Sequence, residues 1–435
     1  MSFQQGLSGL NGSSKSLDVI GNNIANASTY GAKSSRAEFA DVYAGALNGA
    51  GGNPVGIGVS VAAVAQQFTQ GNITTTDSPM DLAINGGGFF QLSDGKNPVV
   101  YSRNGQFKLS REGYIVNNDQ LKLLGYPADG TGVIQPGLAQ QLQLPTSGIA
   151  PKTTADVKME FNLDSRAAIT APVAGGISLD NPATYNNATS LTAYDAKGQD
   201  VAVTFYFQKN APATDGSTTY NIFATANGAN FTTDSSGAPI AQDALGNPTT
   251  PYTTVTFPRT GGAPIFPTGK ITMDVPAGTN SRGAPTLDIP GIQLDLLGAT
   301  ENGSSFAVTN LTQDGYAPGQ LSGILIENSG IVMARYSNGQ SKPAGQVELA
   351  SFRNPQGLQP MGGNIWSRTF GSGEAVVGVP GDGNLGALKS GALEESNVDL
   401  TGELVNMVTA QRIYQANAQT IKTQDQILQT IVNLR

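Results

Sequence analysis

Apolar residues recur at alternating steps of three and four near both ends of the chain. Near the start, this stripe consists of Phe3, Leu7, Leu10, Ser14, Leu17, Gly21 and Ile24. Near the finish, it consists of Leu404, Met407, Gln411, Tyr414, Ala418, Ile421, Asp425, Leu428 and Val432. Such spacing places one apolar seam along a helix, as in a coiled coil. The pattern predicts two terminal helices that pair with each other and need further partners.

Polar and small residues interrupt both seams, at Ser14, Gly21, Gln411 and Asp425. Polar breaks in a seam lower stability but fix the register of the helices. Residues 401–435 also contain nine Asn or Gln but only five charged side chains. Uncharged polar faces can pack against copies of themselves without like-charge repulsion. The composition favours helices crowded among identical neighbours, although each helix packing only against its own domain is the simpler alternative.

From Asp81 onward the apolar period changes to two, which is typical of strands. Turn residues separate short apolar runs at Asn104-Gly105, Glu112-Gly113 and Asn117-Asn118, and Asn-Gly between apolar runs is a strong hairpin signal. A β-meander is therefore predicted, and the strand pattern resumes after residue 320. The predicted strands are 82–84, 99–101, 106–109, 114–116, 121–124, 321–327, 332–336 and 347–352.

The middle of the chain, 148–316, is rich in Thr, Ala, Asn and Gly. Strands are predicted there at 201–207, 220–224, 271–275 and 292–297. Residues 151–316 contain 8 basic and 14 acidic side chains, so most of the chain's net charge of −8 lies in this piece. We interpret it as a separate, outward-facing β domain inserted into the preceding one.

The predicted fold class is mainly β and multidomain, with N- and C-terminal α-helices that pair as a coiled coil in a nested insert architecture. Ser396 and Asp399 are good cap residues for the final helix. The predicted domains are a helical polymerisation domain (1–30 and 396–435), a connecting segment (31–80 and 389–395), a β domain (81–147 and 317–388) and the inserted β domain (148–316).

Composition excludes several classes of chemistry. The chain has no His and no Cys, which excludes His-based triads, disulfides and thiolate metal sites. A net charge of −8 without a basic stripe argues against nucleic-acid binding. No run approaches the ~18 apolar residues of a membrane span, and Met1–Leu10 lacks the features of a cleaved secretory signal. We predict no catalytic residue, cofactor or metal.

Three local patterns could each indicate either a chemical site or an ordinary structural element. Gly381–Gly386 matches GxGxxG but lacks the following helix, so a flexible glycine-rich turn is favoured over a nucleotide loop. Gly86–Phe90 has no following Lys-Ser/Thr, which favours a tight crossing between strands over a phosphate loop. The adjacent Glu394 and Glu395 are interpreted as a solvated helix entry rather than as a pair of catalytic carboxylates.

Several segments together resemble the flagellar rod and hook proteins. The segment Leu17–Ala27 resembles their N-terminal signature, and Ser390–Leu400, continuing through Gln411–Asn417, resembles their C-terminal signature. The family usually has an aromatic residue after the glycine at position 31, where this chain has Ala32. The motif residues are Gly21, Asn22, Asn23, Asn26, Asn85, Gly86, Gly88, Phe89, Phe90, Asn397, Asp399, Leu400, Gln415 and Asn417.

Within that family, the long insert favours a hook subunit, with an enlarged distal rod protein as the alternative and a secreted enzyme or adhesin as a remoter one. The resemblance implies self-assembly outside the cell into a curved tube that transmits torque from rod to filament as a universal joint. Implied partners are the distal rod, the hook cap, the hook–filament junction proteins and the type III export apparatus, without nucleic acid or membrane insertion. We expect the seam to control assembly through Leu7, Leu10, Leu17, Ile24, Leu404, Met407, Tyr414, Ile421 and Leu428.

Overall fold

The computed structural model describes residues 2–42, 56, 58–137, 139–170 and 176–433, with backbone alone at 2, 3 and 431–433. The side chains of the seam positions Phe3 and Val432 lie outside this description. The chain divides into two compact units. Unit 1 comprises Met1–Thr146, Ser322–Arg335 and Ser341–Arg435, and unit 2 comprises Ser147–Leu321 and Tyr336–Gln340.

The described chain is mainly β, with one helix near each end, as predicted. The elements of the first third are α1 (Ser2–Ala25), β1 (Ser35–Val42), β2 (Gly58–Gln66), β3 (Ile73–Thr75), β4 (Leu82–Asn85), β5 (Phe89–Ser93), β6 (Val100–Ser102), β7 (Lys108–Leu109), β8 (Ile115–Val116), β9 (Lys122–Pro127) and β10 (Gln140–Gln141). The middle contains β11 (Asp156–Asp164), β12 (Asn187–Tyr194), β13 (Asp200–Lys209), β14 (Thr218–Ala226), β15 (Ala229–Asn230), β16 (Thr253–Phe257), β17 (Ile271–Val275), β18 (Gly278–Thr279), β19 (Pro285–Thr286), β20 (Ile289–Asp295), β21 (Thr300–Asn302) and β22 (Ala307–Gln313). The remainder contains β23 (Leu321–Ile326), β24 (Ile331–Tyr336), β25 (Ser341–Val347), β26 (Leu349–Ser351), β27 (Gln359–Gly362), β28 (Ile365–Ser367), β29 (Val376–Gly378), β30 (Ala387–Ser390), β31 (Ala392–Glu394) and α2 (Leu400–Asn433).

The two helices end and begin where the sequence provides polar caps. Asn26 Nδ2 donates to Asn22 O at 2.9 Å at the end of α1. Asp399 caps α2, because its Oδ1 accepts from Thr401 N at 3.1 Å and its carbonyl accepts from Glu403 N at 2.9 Å. An Asp at this position satisfies N–H groups that have no partner inside the helix. The predicted start of the final helix near Asp399 is confirmed.

Unit 1 is built on a thirteen-stranded sheet whose main path runs β23-β24-β25-β9-β5-β6-β28-β27. Most predicted meander strands are confirmed, and β5 pairs with both β6 and β9. One apolar core includes Leu82, Ile84, Phe90 and Leu349. A second core collects the aromatic residues Phe89, Tyr101, Phe352 and Trp366.

The segment 31–80, which the sequence left without assigned elements, contains three strands in its described part, 31–42, 56 and 58–80. β1 and β2 form an antiparallel hairpin with a register shift between Glu38 and Phe39. The shift breaks the apolar alternation of β2, so a strict period-two search does not detect this strand. β3 pairs with β31, which ties this segment to the residues before α2. The strand that follows the segment, β4, pairs with β30.

Unit 2 contains two five-stranded sheets, with main paths β17-β20-β11-β21 and β12-β13-β14-β15. Burial alternates along its strands, as in β17, where Ile271, Met273 and Val275 are buried and the residues between them are exposed. One apolar core includes Phe161 and Phe207, whose ring centroids are 4.8 Å apart. The predicted strands 201–207, 220–224 and 271–275 are confirmed, whereas the predicted 292–297 begins three residues earlier, at Ile289.

Candidate self-assembly site

α1 and α2 lie side by side in antiparallel directions. A Cβ placed on Gly6 would lie 3.0 Å from Ile421 Cγ1. Near the other end of the contact, Asn23 Nδ2 donates to Glu403 Oε1 at 3.0 Å. Residue numbers therefore rise along α1 while those of the contacting residues fall along α2. Glycine on α1 lets the two helices approach closely because no Cβ stands between them.

The stripe of α1 that is buried within the chain is shifted by one residue toward the N-terminus relative to the apolar seam. Its buried residues include Gly6, Ser13, Ile20 and Asn23, and together with the half-buried Gly9 and Ser16 they recur at three- and four-residue spacing. Leu7 of the seam is 44% exposed, and Leu10, Leu17 and Ile24 are half-buried. Both stripes have the same spacing and lie about 100° apart around the helix. Spacing alone does not choose between them, but the small side chains admit the closer approach.

α2 leaves most of its seam uncovered. Among its described side chains, only Ala410 is buried. Leu404, Tyr414 and Leu428 are 48%, 37% and 49% exposed, whereas Met407 and Ile421 are half-buried. We use the term terminal-helix seam for Leu7, Leu10, Leu17, Ile24, Leu404, Met407, Tyr414, Ile421 and Leu428. Much of this apolar surface remains available for contacts beyond the chain.

Two motif asparagines tie the helix ends to the backbone after α1. Asn23 donates from Nδ2 to Ser35 O and accepts at Oδ1 from Ser35 N, both at 2.8 Å. Asn397 accepts at Oδ1 from Ser34 N at 2.7 Å and donates from Nδ2 to Gln67 O at 2.8 Å. A primary amide can do both because it carries a donor and an acceptor. These side chains therefore anchor both helices to adjoining backbone.

Glu394 is fully buried at the end of β31 and is held by two cations. Lys33 Nζ lies 2.6 Å from its Oε1, and Arg103 Nη1 lies 3.0 Å from its Oε2. Gly71 N also donates to Oε1 at 3.0 Å. The interpretation of this carboxylate as part of a solvated helix entry is therefore wrong. Its partners are 361 and 291 residues away along the chain, so no local pattern could indicate them.

The Glu394 cluster carries an excess of positive charge in a buried place. Burial lowers the pKa of Lys33 and the pKa of Arg103, while the carboxylate of Glu394 opposes both shifts. Backbone carbonyl oxygens also stabilise the two cations. Lys33 Nζ donates to Thr69 O and Arg103 Nη2 donates to Gly86 O, both at 2.8 Å. A buried carboxylate with two cations makes the junction before α2 sensitive to the loss of any member.

The segment Gly86–Phe90 makes the tight crossing between strands that its sequence predicts. Gly86 has a φ of +121°, and a Cβ there would lie 2.9 Å from Gly386 Cα. Gly386 N donates to Gly87 O at 2.7 Å, so the GxGxxG segment forms a hydrogen-bonded turn against this crossing. Phe90 is fully buried and meets Phe107 edge-on at 5.1 Å.

The other motif residues of this region also serve local packing. Phe89 is buried, with its ring centroid 5.8 Å from that of Trp366 and 5.4 Å from the Arg103 guanidinium carbon. Gly88 has a φ of +117°, which favours glycine. Asn85 Oδ1 accepts from Gln70 Nε2 at 3.3 Å. These residues hold the core beside the Glu394 cluster rather than presenting a ligand site.

Several helical motif residues have little or no role within the described chain. A Cβ on Gly21 would meet no atom within 4 Å, and Leu400 and Gln415 are exposed. Asn22 is exposed too, but it accepts from Asn26 Nδ2 at the end of α1. Asn417 is an exception as well, since its Nδ2 would lie 2.8 Å from a Cβ on Gly9. The exposed motif residues therefore resemble the terminal-helix seam, because their contacts within one chain do not explain why these residue types stand there.

Ala32, where the resemblance leads one to expect an aromatic side chain, is 5% exposed. It borders a cavity of about 410 Å³ lined also by Asn22, Asn364 and Trp366.

The described residues contain no group of three or more Asp or Glu side chains placed to hold a metal ion. No helix in the described part of the chain is long and apolar enough to cross a membrane.

Four family descriptions match successive parts of the chain. "Flagella basal body rod protein" matches residues 3–33, and "Flagellar hook protein FlgE/F/G D1 domain" matches 83–170. "Flagellar basal body protein FlaE D2 domain" matches 162–316, and "Flagellar basal body rod FlgEFG protein C-terminal" matches 389–434. With its two terminal helices and mainly β body, the chain is therefore of the flagellar rod and hook class.

Relatives that match over their full length identify the family within this class. The flagellar hook protein FlgE of Salmonella typhimurium is 43% identical, and that of Escherichia coli K12 is 42% identical, with 100% of both chains covered in each case. The FlgE of Rhizobium meliloti is 32% identical over 100% of this chain and 98% of its own. A crystal structure of Helicobacter pylori FlgE2 covers 74% of this chain and 100% of that one, at 14% identity and a TM-score of 0.49. The chain belongs to the flagellar hook protein FlgE family.

Proposed function

We propose that this chain is the structural subunit of the flagellar hook and polymerises with copies of itself into a curved tube. The observation that carries the proposal is the exposed terminal-helix seam, on helices that use another stripe for their contact within the chain. The full-length similarity to hook proteins supports a hook rather than a distal rod subunit. The role is structural and requires no catalysis.

A helical polymer needs each subunit to present two different contact surfaces, because its contacts are head-to-tail. The terminal-helix seam supplies one such surface, because the small-residue stripe of α1 is already used for the contact with α2 inside the chain. Exposed leucines such as Leu404 and Leu428 gain free energy when a neighbouring copy covers them, at roughly 25 cal/mol per Å² of apolar surface. The scarcity of charge in 401–435 lets identical helices pack without strong repulsion.

We infer further that α1 and α2 pair as a coiled coil and that the insert architecture is nested. The antiparallel contact and the position of unit 2 between segments of unit 1 along the chain support these points. In this proposal, the tube is held together by the helical domain, 1–30 and 396–435. A connecting segment, 31–80 and 389–395, joins this domain to a β layer formed by 81–147 and 317–388. The outward domain that tunes curvature is 148–316.

A tube that bends while it rotates must let neighbouring subunits slide. Contacts between small polar side chains are re-formed at little cost, whereas tightly interlocked apolar contacts are not. A universal joint therefore combines helices that hold register with outward domains whose contacts exchange. The abundance of Thr, Ala, Asn and Gly in 148–316 suits the second task.

The proposal places the protein outside the cell, between rod and filament, after passage through the type III export apparatus. Its partners are then other copies of itself, the distal rod, the hook cap during growth and the hook–filament junction proteins. Nucleic acid and membrane insertion have no part in it.

The seam is tested by Leu428→Asp, with Gln426→Asp as the matched control on the opposite side of α2. Both residues are exposed, so neither change should alter the thermal unfolding of the β units. We expect Leu428→Asp to abolish sedimentable polymer and Gln426→Asp to retain it. Equal polymer yield from both variants would contradict the role of the seam.

The location is tested by immunogold electron microscopy of isolated flagella with an antibody against residues 151–316. We expect label on the short curved segment between the basal body and the filament. Label at the rod would establish the distal rod alternative, and unlabelled flagella would overturn the proposed function.

A further inference from the structure

Phe370 is a fully exposed aromatic side chain at the tip of an ordered loop of unit 1. The loop is held by side-chain hydrogen bonds, including Ser372 Oγ accepting from Thr369 N and Asn354 Nδ2 donating to Gly371 O, both at 3.0 Å. The ring is therefore presented by a fixed backbone. Because the loop backbone is already fixed, binding through the ring would order little beyond the Phe370 side chain itself, which suits it to anchor an interface.

Two strands of the same part of the chain, β27 and β29, are also open. All four residues of β27 are exposed, with Met361 at 59%, and β27 ends the main path of its sheet. Val376 and Val377 of β29 are 65% and 48% exposed. Successive strand residues point to opposite faces, so β29 has apolar exposure on both faces, and among the described strands it pairs with β26 alone.

This surface lacks the charges that normally protect open strand edges. Between Arg353 and Asp382 the chain has only two charged residues, Arg368 and Glu374. These two side chains form an ion pair with each other. The result is a neutral surface on a chain of net charge −8. Copies of an acidic chain repel least where they are neutral, so this surface can meet another copy without like-charge repulsion, whereas it offers no charge to attract a strongly basic or acidic partner.

We propose that the surface formed by residues 354–378, with Phe370 as its anchor, docks onto a second copy of this chain. The inference rests on the proposed function, because it needs a self-assembling subunit, but it adds a contact that the terminal helices do not supply. The contact is head-to-tail: Phe370 of one subunit becomes buried against a different surface of the next.

The first test is the critical concentration for polymerisation of Phe370→Ala. We expect it to rise at least about tenfold, since burial of an aromatic anchor typically accounts for that much affinity. Leu245→Ala is the matched control, because Leu245 is 86% exposed in unit 2 and lies outside the proposed surface. Thermal unfolding of the Phe370→Ala monomer should match that of the unaltered chain, since the removed ring contributes no buried contact.

The second test places the photo-crosslinker benzoylphenylalanine at position 370 or at position 245 in the full chain. We expect illumination of polymer to join subunits from position 370 and not from position 245. Polymer that yields no subunit-to-subunit product from position 370, or product only with another protein in cells, would overturn the inference.

The outcomes separate this inference from the proposed function. If Phe370→Ala polymerises at the unaltered concentration while Leu428→Asp does not polymerise, the surface at 354–378 is refuted and the terminal-helix seam stands. If the unaltered chain forms no polymer under any condition that polymerises hook proteins, both are overturned.

Discussion

α2 and the core of unit 2 differ in where they obtain their stability. α2 is 34 residues long, yet Ala410 is its one buried side chain among those described. In β13 of unit 2, by contrast, Val203, Phe205 and Phe207 are all fully buried. A helix gains most of its stability from packing of an apolar face. Unit 2 is thus stabilised from within, whereas α2 has little buried surface of its own inside the described chain.

The comparison shows that apolar content does not measure how much of a segment is core. Both regions contain regular apolar repeats, with period two in β17 and period three to four in α2. In β17 each apolar side chain is covered by residues of the same chain. In α2, positions such as Leu404 and Leu428 remain about half exposed.

The largest expected effect comes from removing a ring inside unit 2. Phe207→Ala should lower the free energy of unfolding by about 4 kcal/mol, because it deletes a fully buried side chain and leaves a cavity. Calorimetric or circular dichroism melting of the full chain would measure it. Phe266→Ala, at a 49% exposed position of the same unit, should change stability by less than about 1 kcal/mol. Similar losses from both variants would contradict the assignment of this core.

The junction between the β body of unit 1 and α2 is tested by Glu394→Gln. It should lower the free energy of unfolding by about 3 kcal/mol, because two buried cations lose their counter-charge. Trp366 is the chain's single Trp and lies in unit 1, so its fluorescence in a denaturant titration reports the loss. Glu395→Gln is the control with an adjacent carboxylate that forms no ion pair among the described residues, and it should have little effect.

A smaller effect is expected where α2 begins. Asp399→Ala removes the cap that accepts from Thr401 N and should cost about 1 kcal/mol of helix stability. The measurement is the helical circular dichroism signal on heating, and Asp399→Asn should restore most of it. Loss of the β signal together with the helical one would show that the two regions are less independent than their burial indicates.

The smallest effect concerns a buried carboxyl in the β core of unit 1. Burial raises the pKa of Glu348, although Tyr126 Oη donates to its Oε1 at 2.9 Å. The folded state then holds its proton more tightly than the unfolded state, so stability falls as pH rises from about 4.5 through the raised pKa. Glu348→Gln should flatten this decline in denaturant titrations across that range. An unchanged slope would refute the burial argument.

Sequence reasoning succeeded where the signal was local. The cap at Asp399, the strand at 201–207 and the crossing at Gly86–Phe90 depend on residues within a few positions of one another. It failed at Glu394, whose neighbours along the chain gave the appearance of a solvated turn. It also left the hairpin of β1 and β2 unassigned, because the register shift at Glu38 interrupts the alternation on which strand detection depends.

The sequence by itself determined the two terminal helices, the turns, the absence of His and Cys chemistry and the family signatures, because each depends on short-range spacing or on composition. Only the tertiary structure decided which stripe of α1 meets α2, since both stripes share one period and only the folded chain shows that Gly6 and Gly9 face α2. It alone also brought Lys33 and Arg103 to Glu394 across more than 290 residues, because ion pairs form through space. For the same reason, the exposure of Phe370 became evident only once the chain was folded.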